Sequence, residues 1–357
     1  MRKPLKLSRF DIIKNFVIQN IEQHHKDIGH LLTAEFKISR QAANSYLLKL
    51  SGKNVIFAEG RTRGKKYYLK PVIQKEFLLN VCQTPEEDVV WRKKLEPLVK
   101  DIQSNVVNIC AYGFTEMFNN VITHADARTA GIKFALFPNK ISMSIIDDGV
   151  GIFNKITQER NLEDHRHAIL ELSKGKLTTA KEGHTGEGIF FTSRMFDEFS
   201  ILSSKLYFSH RGEDDWLIEE EEKDFKGTCV SMSIDTNSNR TAKEVYDRYS
   251  SDDENDFSKT YVPVKLLIHG RENLISRSQA KRLLARFEGF KEILLDFTEI
   301  EFIGQAFADE IFRVYKIANP RRRIVYINAN QSVVKMIRRA VGQVDPNQIG
   351  INFDGSG

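Results

Sequence analysis

Thr115-Glu116-Met117-Phe118-Asn119-Asn120-Val121-Ile122-Thr123-His124-Ala125-Asp126-Ala127 is the stretch on which the reading of this chain turns. Glu116, Asn120 and His124 recur every four residues, so on an α-helix they stack along one face. Phe114, Met117, Phe118 and Val121 predict a second stripe that faces a core. A polar stripe is costly to bury unless something pairs with it. A Mg2+ ion is a candidate partner, being a hard cation that takes oxygen ligands and shares them with water and phosphate. Asn120 offers such an ion a side-chain carbonyl oxygen, and Glu116 could take a proton from an attacking water. Taken alone, the stripe is equally the solvent face of an ordinary amphipathic helix.

Three downstream segments decide between these readings. Asp147-Asp148-Gly149-Val150-Gly151 follows an apolar, strand-like run, Ile141–Ile146. Gly183-His184-Thr185-Gly186-Glu187-Gly188 comes next, and Lys226-Gly227-Thr228 opens another strand-like run, Cys229–Ile234. The order E-x-x-x-N-x-x-x-H, D-x-G-x-G, G-x-G, G-T resembles the GHKL ATPase superfamily, the Bergerat fold of type II topoisomerases, mismatch-repair ATPases, histidine kinases and anti-sigma kinases. The resemblance implies ATP and Mg2+ as cofactors, Asn120 as metal ligand and Glu116 as catalytic base. It implies that Asp147 accepts a hydrogen bond from the adenine amino group, a contact that rejects guanine because a carboxylate only accepts. Gly149 and Gly151 would bring backbone close to the base, and the Thr228 hydroxyl would approach adenine. Ile152–Thr185 corresponds to the ATP lid, with Lys174, Lys176 and Lys181 as its cations and Lys176 placed at the nucleotide. Thr185, Gly186 and Gly188 would lead into a helix over Ile189–Asp197, whose first N–H groups favour phosphate oxygens. Glu187 departs from the family, which has an apolar residue there. His124 either assists at the phosphates or caps a hydrogen-bond network. No segment resembles the phospho-acceptor box of a histidine kinase, since His24-His25-Lys26-Asp27 lacks the following proline.

Upstream, residues 1–74 form a separate basic module. They carry 15 Lys+Arg against 5 Asp+Glu, a balance of +10, while the rest of the chain carries −5. Helical periodicity over Ser8–Gln23, Ile28–Phe36 and Ser39–Leu50 predicts three helices, with Ser8 and Ser39 as caps. The third exposes Arg40, Gln41, Asn44 and Ser45, side chains suited to base edges and phosphates in a major groove. Val55–Glu59 and Lys66–Leu69 bracket a basic tip with Arg61, Arg63 and Lys65, predicting a hairpin. Three helices and a basic hairpin resemble a winged helix-turn-helix domain. The charge balance favours DNA as partner; a protein-binding module with a solvated tip is the other reading.

Gln74–Cys82 is expected to bridge to a nucleotide module over 75–240. Within it, Thr84-Pro85 starts a helix over Glu86–Lys100, a second helix spans Ile102–Ala125, and Gly131–Pro138 and Lys140–Ile146 form strands. Ile201–His210 and Glu213–Glu222 predict a hairpin around Gly212. Thr236–Asp256 is polar and acidic and reads as a linker or exposed helix; residues 241–357 hold it and then an α/β alternation: strands at Val264–Ile268, Glu292–Phe297 and Arg323–Ile327, helices at Ser276–Phe287, Gln305–Ile317 and Ser332–Ala340. Together with Phe302–Glu310, this resembles a STAS domain of the kind attached to GHKL modules. Regulatory STAS domains carry a phosphorylated serine at that helix start; Gly304-Gln305-Ala306 has no hydroxyl there. Arg321-Arg322-Arg323 reads as a solvated turn.

The expected architecture is therefore multidomain α+β and α/β: winged helix, Bergerat α/β sandwich, STAS-like domain. Three widely spaced cysteines, Cys82, Cys110 and Cys229, form neither a metal nor a disulfide framework. No run of about 18 apolar residues predicts a membrane span, so a cytoplasmic chain without membrane contact is expected. The functional expectation is an ATP-gated, DNA-binding regulator, with a protein partner on the STAS-like domain and a homodimer as candidate assemblies. A serine/threonine kinase of the anti-sigma type and a protein-interaction switch are the alternatives.

Overall fold

The computed structural model describes residues 8–61, 64–83, 86–176, 186–211, 215–250, 257–268 and 272–342. Helices α1 (Arg9–Asn20), α2 (Ile28–Phe36) and α3 (Arg40–Gly52) come first. The Ser8 and Ser39 hydroxyls accept from the backbone N–H of Asp11 and Ala42 at 3.2 Å, so both expected caps form. Strands β1 (Ile56–Glu59) and β2 (Lys66–Leu69) pair antiparallel. Ile13, Val17, Leu32, Leu47, Leu50 and Ile56 close a core of their own.

Strand β3 (Ile73–Asn80) corrects the expected bridge. It is an edge strand, paired antiparallel along its whole length with β4 (Thr129–Leu136), Ile73 opposite Leu136 and Asn80 opposite Thr129. From Glu76 to Asn80 its side chains alternate in exposure, as on an edge strand of a half-covered sheet. The five-stranded antiparallel sheet has the order β3-β4-β5-β7-β6, with β5 (Lys140–Asp147), β6 (Glu198–Arg211) and β7 (Asp215–Asp235). The expected break between a hairpin arm and Cys229–Ile234 is absent: β7 runs through both, with register shifts opposite Ser203 and Ser204.

The first expected helix breaks up into α4 (Glu87–Val90), a π turn at Trp91–Leu95 and a 3-10 turn at Glu96–Leu98 that contains Pro97. Thr84 and Pro85 lie outside the described residues. Helix α5 (Ser104–His124) lies along the sheet and buries Phe114, Met117, Phe118 and Val121, as the apolar stripe predicts. At Gly113 it comes so close that a Cβ would sit 2.4 Å from the Phe196 ring. The stretch assigned to a lid begins as two helices, α6 (Ile152–Arg160) and α7 (His165–Lys174), before α8 (Gly188–Met195).

The expected linker contains α9 (Ala242–Tyr249), closed by a Thr241–Glu244 capping box. Tyr246 and Tyr249 stack on Phe191 and Phe190 of α8, so this helix is docked. The last unit has a parallel sheet, β10-β9-β8, from β8 (Lys259–Pro263), β9 (Glu292–Asp296) and β10 (Arg323–Ile327). Val264–Leu267, expected as a strand, is a 3-10 turn one element later than β8. Helices α10 (Arg277–Leu284), α11 (Gln305–Asp309), α12 (Lys316–Ala318) and α13 (Gln331–Val341) cover the sheet, with a π turn joining α11 to α12. Arg322 is not merely solvated, since it donates to the Phe287 and Glu288 carbonyls at 3.2 and 3.0 Å. One continuous apolar core joins this unit to the five-stranded sheet and its helices. Among the described residues no helix is long and apolar enough to cross a membrane.

Candidate functional site

The four motif segments converge on one cavity of about 260 Å³ between α5, the end of β5, α6, α7 and the start of α8. Glu116, Asn120 and His124 all line it, one helical turn apart, and so do Asp147, Gly151, Gly186, Gly188 and Thr228. Met117, Val121, Ile145, Ile156, Leu172 and Val230 supply its apolar walls. A cleft with apolar walls and a few converging polar groups is the usual form of a small-molecule site.

Asp147 is the last residue of β5 and only 6% exposed. Its Oδ1 accepts from the Gly149 N–H at 2.9 Å and the Thr228 N–H at 3.1 Å. Burial raises its pKa above the ordinary carboxylate value, and the neighbouring Asp148 charge adds to this, against the pull of those two N–H donors. Gly227 makes the approach of β7 possible. It sits at φ +82°, and a Cβ there would lie 2.0 Å from the Asp147 carbonyl oxygen. Gly149 is equally tight, with a Cβ 2.1 Å from the Ala125 carbonyl oxygen. Val150 N–H donates to that same oxygen at 2.9 Å, which fastens the loop to the end of α5.

Asp148, quoted in the motif without a role, has a structural one. Its carboxylate accepts from the N–H groups of Arg128 and Thr129 and from the Thr129 hydroxyl, at 2.8 to 2.9 Å. The Thr129 N–H holds its pKa below the ordinary value. The Thr228 hydroxyl accepts from the Ile152 N–H at 3.0 Å, joining β7 to the first turn of α6.

At the other end of the cavity, Gly188 faces Glu116. A Cβ on Gly188 would sit 2.1 Å from Glu116 Oε2, so the glycine leaves the room that this carboxylate occupies. Burial first, and then the Glu116 charge, push the Tyr112 phenol far above its ordinary range. Glu116 thus faces the cavity from a half-buried position beside two tyrosines, Tyr112 and Tyr246.

Neither of the two described lid lysines lines the cavity. Lys174 is 1% exposed and pairs with the equally buried Glu171 at 2.6 Å. Lys176 extends to the C-terminal unit, where its Nζ donates to the Gly289 carbonyl at 3.1 Å and lies 5.4 Å from the Phe257 and Phe290 ring centres. Thr185 and Lys181 lie outside the described residues. Sequence reasoning missed Asn119 and Lys155, which also line the cavity. Lys155, on the first turns of α6, pairs with Asp126 at 2.9 Å. Its position four residues after Gly151 was the available signal.

On the N-terminal unit, Arg40, Gln41, Asn44 and Ser45 are exposed along one side of α3, and Arg61 is exposed at the hairpin end. Lys65 is half-buried, its Nζ over the Tyr67 ring at 4.9 Å. Arg63 lies outside the described residues. Among the described residues no cluster of three or more His, Cys, Asp or Glu side chains is built to hold a metal.

No curated protein matches the chain. Residues 89–207 match the family model of the histidine kinase-like ATPase domain, which spans the α5 stripe, the end of β5 and the start of α8. Residues 279–334 match that of a STAS-like domain of unknown function, DUF4325. The chain thus carries a segment similar to the histidine kinase-like ATPase domain and, after it, one similar to a STAS-like domain, with a basic unit ahead of both.

Proposed function

We propose that this chain is an ATP-binding regulator in which nucleotide state controls DNA binding by the N-terminal unit. The observation that carries the nucleotide half is the meeting of four separate motif segments in one cavity, with Asp147 buried at its end. Asp147 accepts from the Gly149 and Thr228 N–H groups through Oδ1, and its carboxylate would also accept from the adenine amino group. Gly149, Gly151 and Thr228 frame the base, and Gly186 and Gly188 face the phosphates with the first turn of α8. Asn120 and water would hold Mg2+, whose charge would offset that of the phosphates. Glu116 would orient and deprotonate a water for hydrolysis. Lys176, held at the Gly289 carbonyl, is not needed for this arrangement, and the Thr185 hydroxyl would join the glycines at the phosphates.

The N-terminal unit is read as a winged helix. Arg40, Gln41, Asn44 and Ser45 would enter the major groove, and Arg61, Arg63 and Lys65 would meet phosphate. The exposed face of α3 and the +10 charge of residues 1–74 support this. ATP must then have different affinity for the DNA-competent and incompetent states, or it shifts nothing. The deciding measurement is DNA affinity of the purified chain with and without Mg-ATP, alongside Asp147→Asn. An ATP-dependent shift that the variant lacks supports the reading; ATP binding with DNA affinity absent or unchanged sinks it.

A second reading, a serine/threonine kinase acting on a partner protein, is favoured by the STAS-like match. Gly304-Gln305-Ala306 at the start of α11 has no hydroxyl, so the acceptor would belong to a separate protein. Phosphate transfer from ATP to a partner serine would establish it. A homodimer is compatible with either reading, and size measurement in solution tests it.

A further inference from the structure

We propose that the STAS-like domain is part of the nucleotide site's framework, and that Arg286 is a positioning residue for it. This rests on the nucleotide reading above. Helices α7 and α8 form one wall of the cavity through Leu172, Gly188 and Ile189. Their opposite faces are held by the C-terminal unit.

The hold on α7 is polar and buried. Lys174 Nζ pairs with Glu171 at 2.6 Å and donates to the Ala285 carbonyl at 2.9 Å, while its own carbonyl accepts from the Thr260 hydroxyl at 2.7 Å. Arg286 reaches the same place from the C-terminal unit. Its Nε lies 3.2 Å from Glu171 Oε2, and its Nη2 donates to the Lys176 carbonyl at 3.2 Å. Arg286 also stands at φ +63°, a left-handed conformation that non-glycine residues rarely adopt. Such strain persists only where the surroundings impose it, and here those surroundings include the end of α7.

The hold on α8 is aromatic and is linked to the first. Phe190 and Phe191 pack on Phe257 with ring centres 4.6 and 4.9 Å apart. Arg194 lies over Phe190 and donates through Nη2 to the Ser173 carbonyl of α7 and the Tyr261 carbonyl of β8, each at 3.3 Å. At Gly175 a Cβ would meet both Phe257 and Phe190 below 3.0 Å, so no slack exists between the two helices and this unit. A partner that shifts the STAS-like domain therefore moves a wall of the nucleotide cavity.

The test is the dissociation rate of a fluorescent ATP analogue with Mg2+ from the full chain, compared with Arg286→Ala, Arg286→Lys and Thr260→Val. Arg286→Ala removes charge-assisted contacts and should speed dissociation about ten-fold. Arg286→Lys keeps the charge and should recover most of the wild-type rate. Thr260→Val removes one hydrogen bond at constant shape and should give a smaller increase; it carries the test if Arg286→Ala does not fold. Folded Arg286→Ala and Thr260→Val proteins that both release nucleotide at the wild-type rate overturn the inference. Failure of the wild-type chain to bind the analogue overturns the nucleotide reading itself, and the inference with it.

Discussion

Asp147 shows how one residue can weaken the fold while making a site. Its folded pKa is raised by burial, so the ionised form carries a cost that is fully present at neutral pH. That cost fades as the pH falls through the raised folded value toward the ordinary carboxylate range, which makes this group a destabilising term above that window. Asp147→Asn keeps an acceptor for Gly149 and Thr228 and removes the charge. The expected result is a higher melting temperature at pH 7 with little change at pH 4, and ATP affinity reduced by about 100-fold or more, because an amide NH2, which only donates, replaces the carboxylate oxygen that would accept from the adenine amino group. Calorimetry at the two pH values with nucleotide titration checks both halves. Gly188→Ala separates chemistry from folding. The added methyl meets the far end of Glu116, a side chain that can swing aside. The fold should survive, with ATP turnover lowered by about 100-fold, the scale of a displaced general base. Unchanged turnover would remove Glu116 from the mechanism.

At the scale of elements, the site depends on how tightly α5 lies on the sheet. Gly113 is the contact point, with Phe196 and Met232 against it. Gly113→Ala overpacks this seam and should cost about 1–3 kcal/mol in chemical denaturation. Because Asn120 lies two turns further along the same helix, nucleotide affinity should fall with it. The two faces of α7 matter in the same way. Glu171 is disfavoured by burial, yet His167, Lys174 and Arg286 outweigh that and hold its pKa below the ordinary value. Burial pulls the Lys174 amine the other way, below its own ordinary value, while the Glu171 charge beside it resists that shift. A buried pair of this kind contributes little relative to an apolar replacement but much relative to its own half.

At the scale of the whole molecule, charge separates the units more sharply than packing does. The N-terminal unit carries the basic surplus and closes its own core. It touches the sheet through the Lys140–Glu22 pair at 2.6 Å and through Phe137. If this unit grips DNA by phosphate contacts, the logarithm of affinity should fall linearly with the logarithm of salt concentration. Arg61→Ala should lower the magnitude of that slope by about one, uniformly across sequences, whereas Asn44→Ala should weaken preferred sequences most. A slope that neither variant changes assigns the basic surplus to another task.

The sequence by itself determined which helix and which glycine turns carry the site residues. The spacing of Glu116, Asn120 and His124, the apolar stripe beside them, the two serine caps and the glycines of the motifs all act over one or two turns of chain, where local geometry decides. The strand at Arg323–Ile327 was likewise legible, because a short apolar run bounded by turns admits few conformations. Only the tertiary structure decided that Ile73–Asn80 completes a sheet, that Tyr246 and Tyr249 dock a supposed linker, and that Lys174 and Lys176 are drawn to the C-terminal unit. Each of these depends on a partner dozens of residues away. A lysine near glycines looks the same in sequence whether it meets a phosphate or a buried glutamate. What distinguishes the two is the desolvated surface that closes over it, and that surface exists only once the chain has folded.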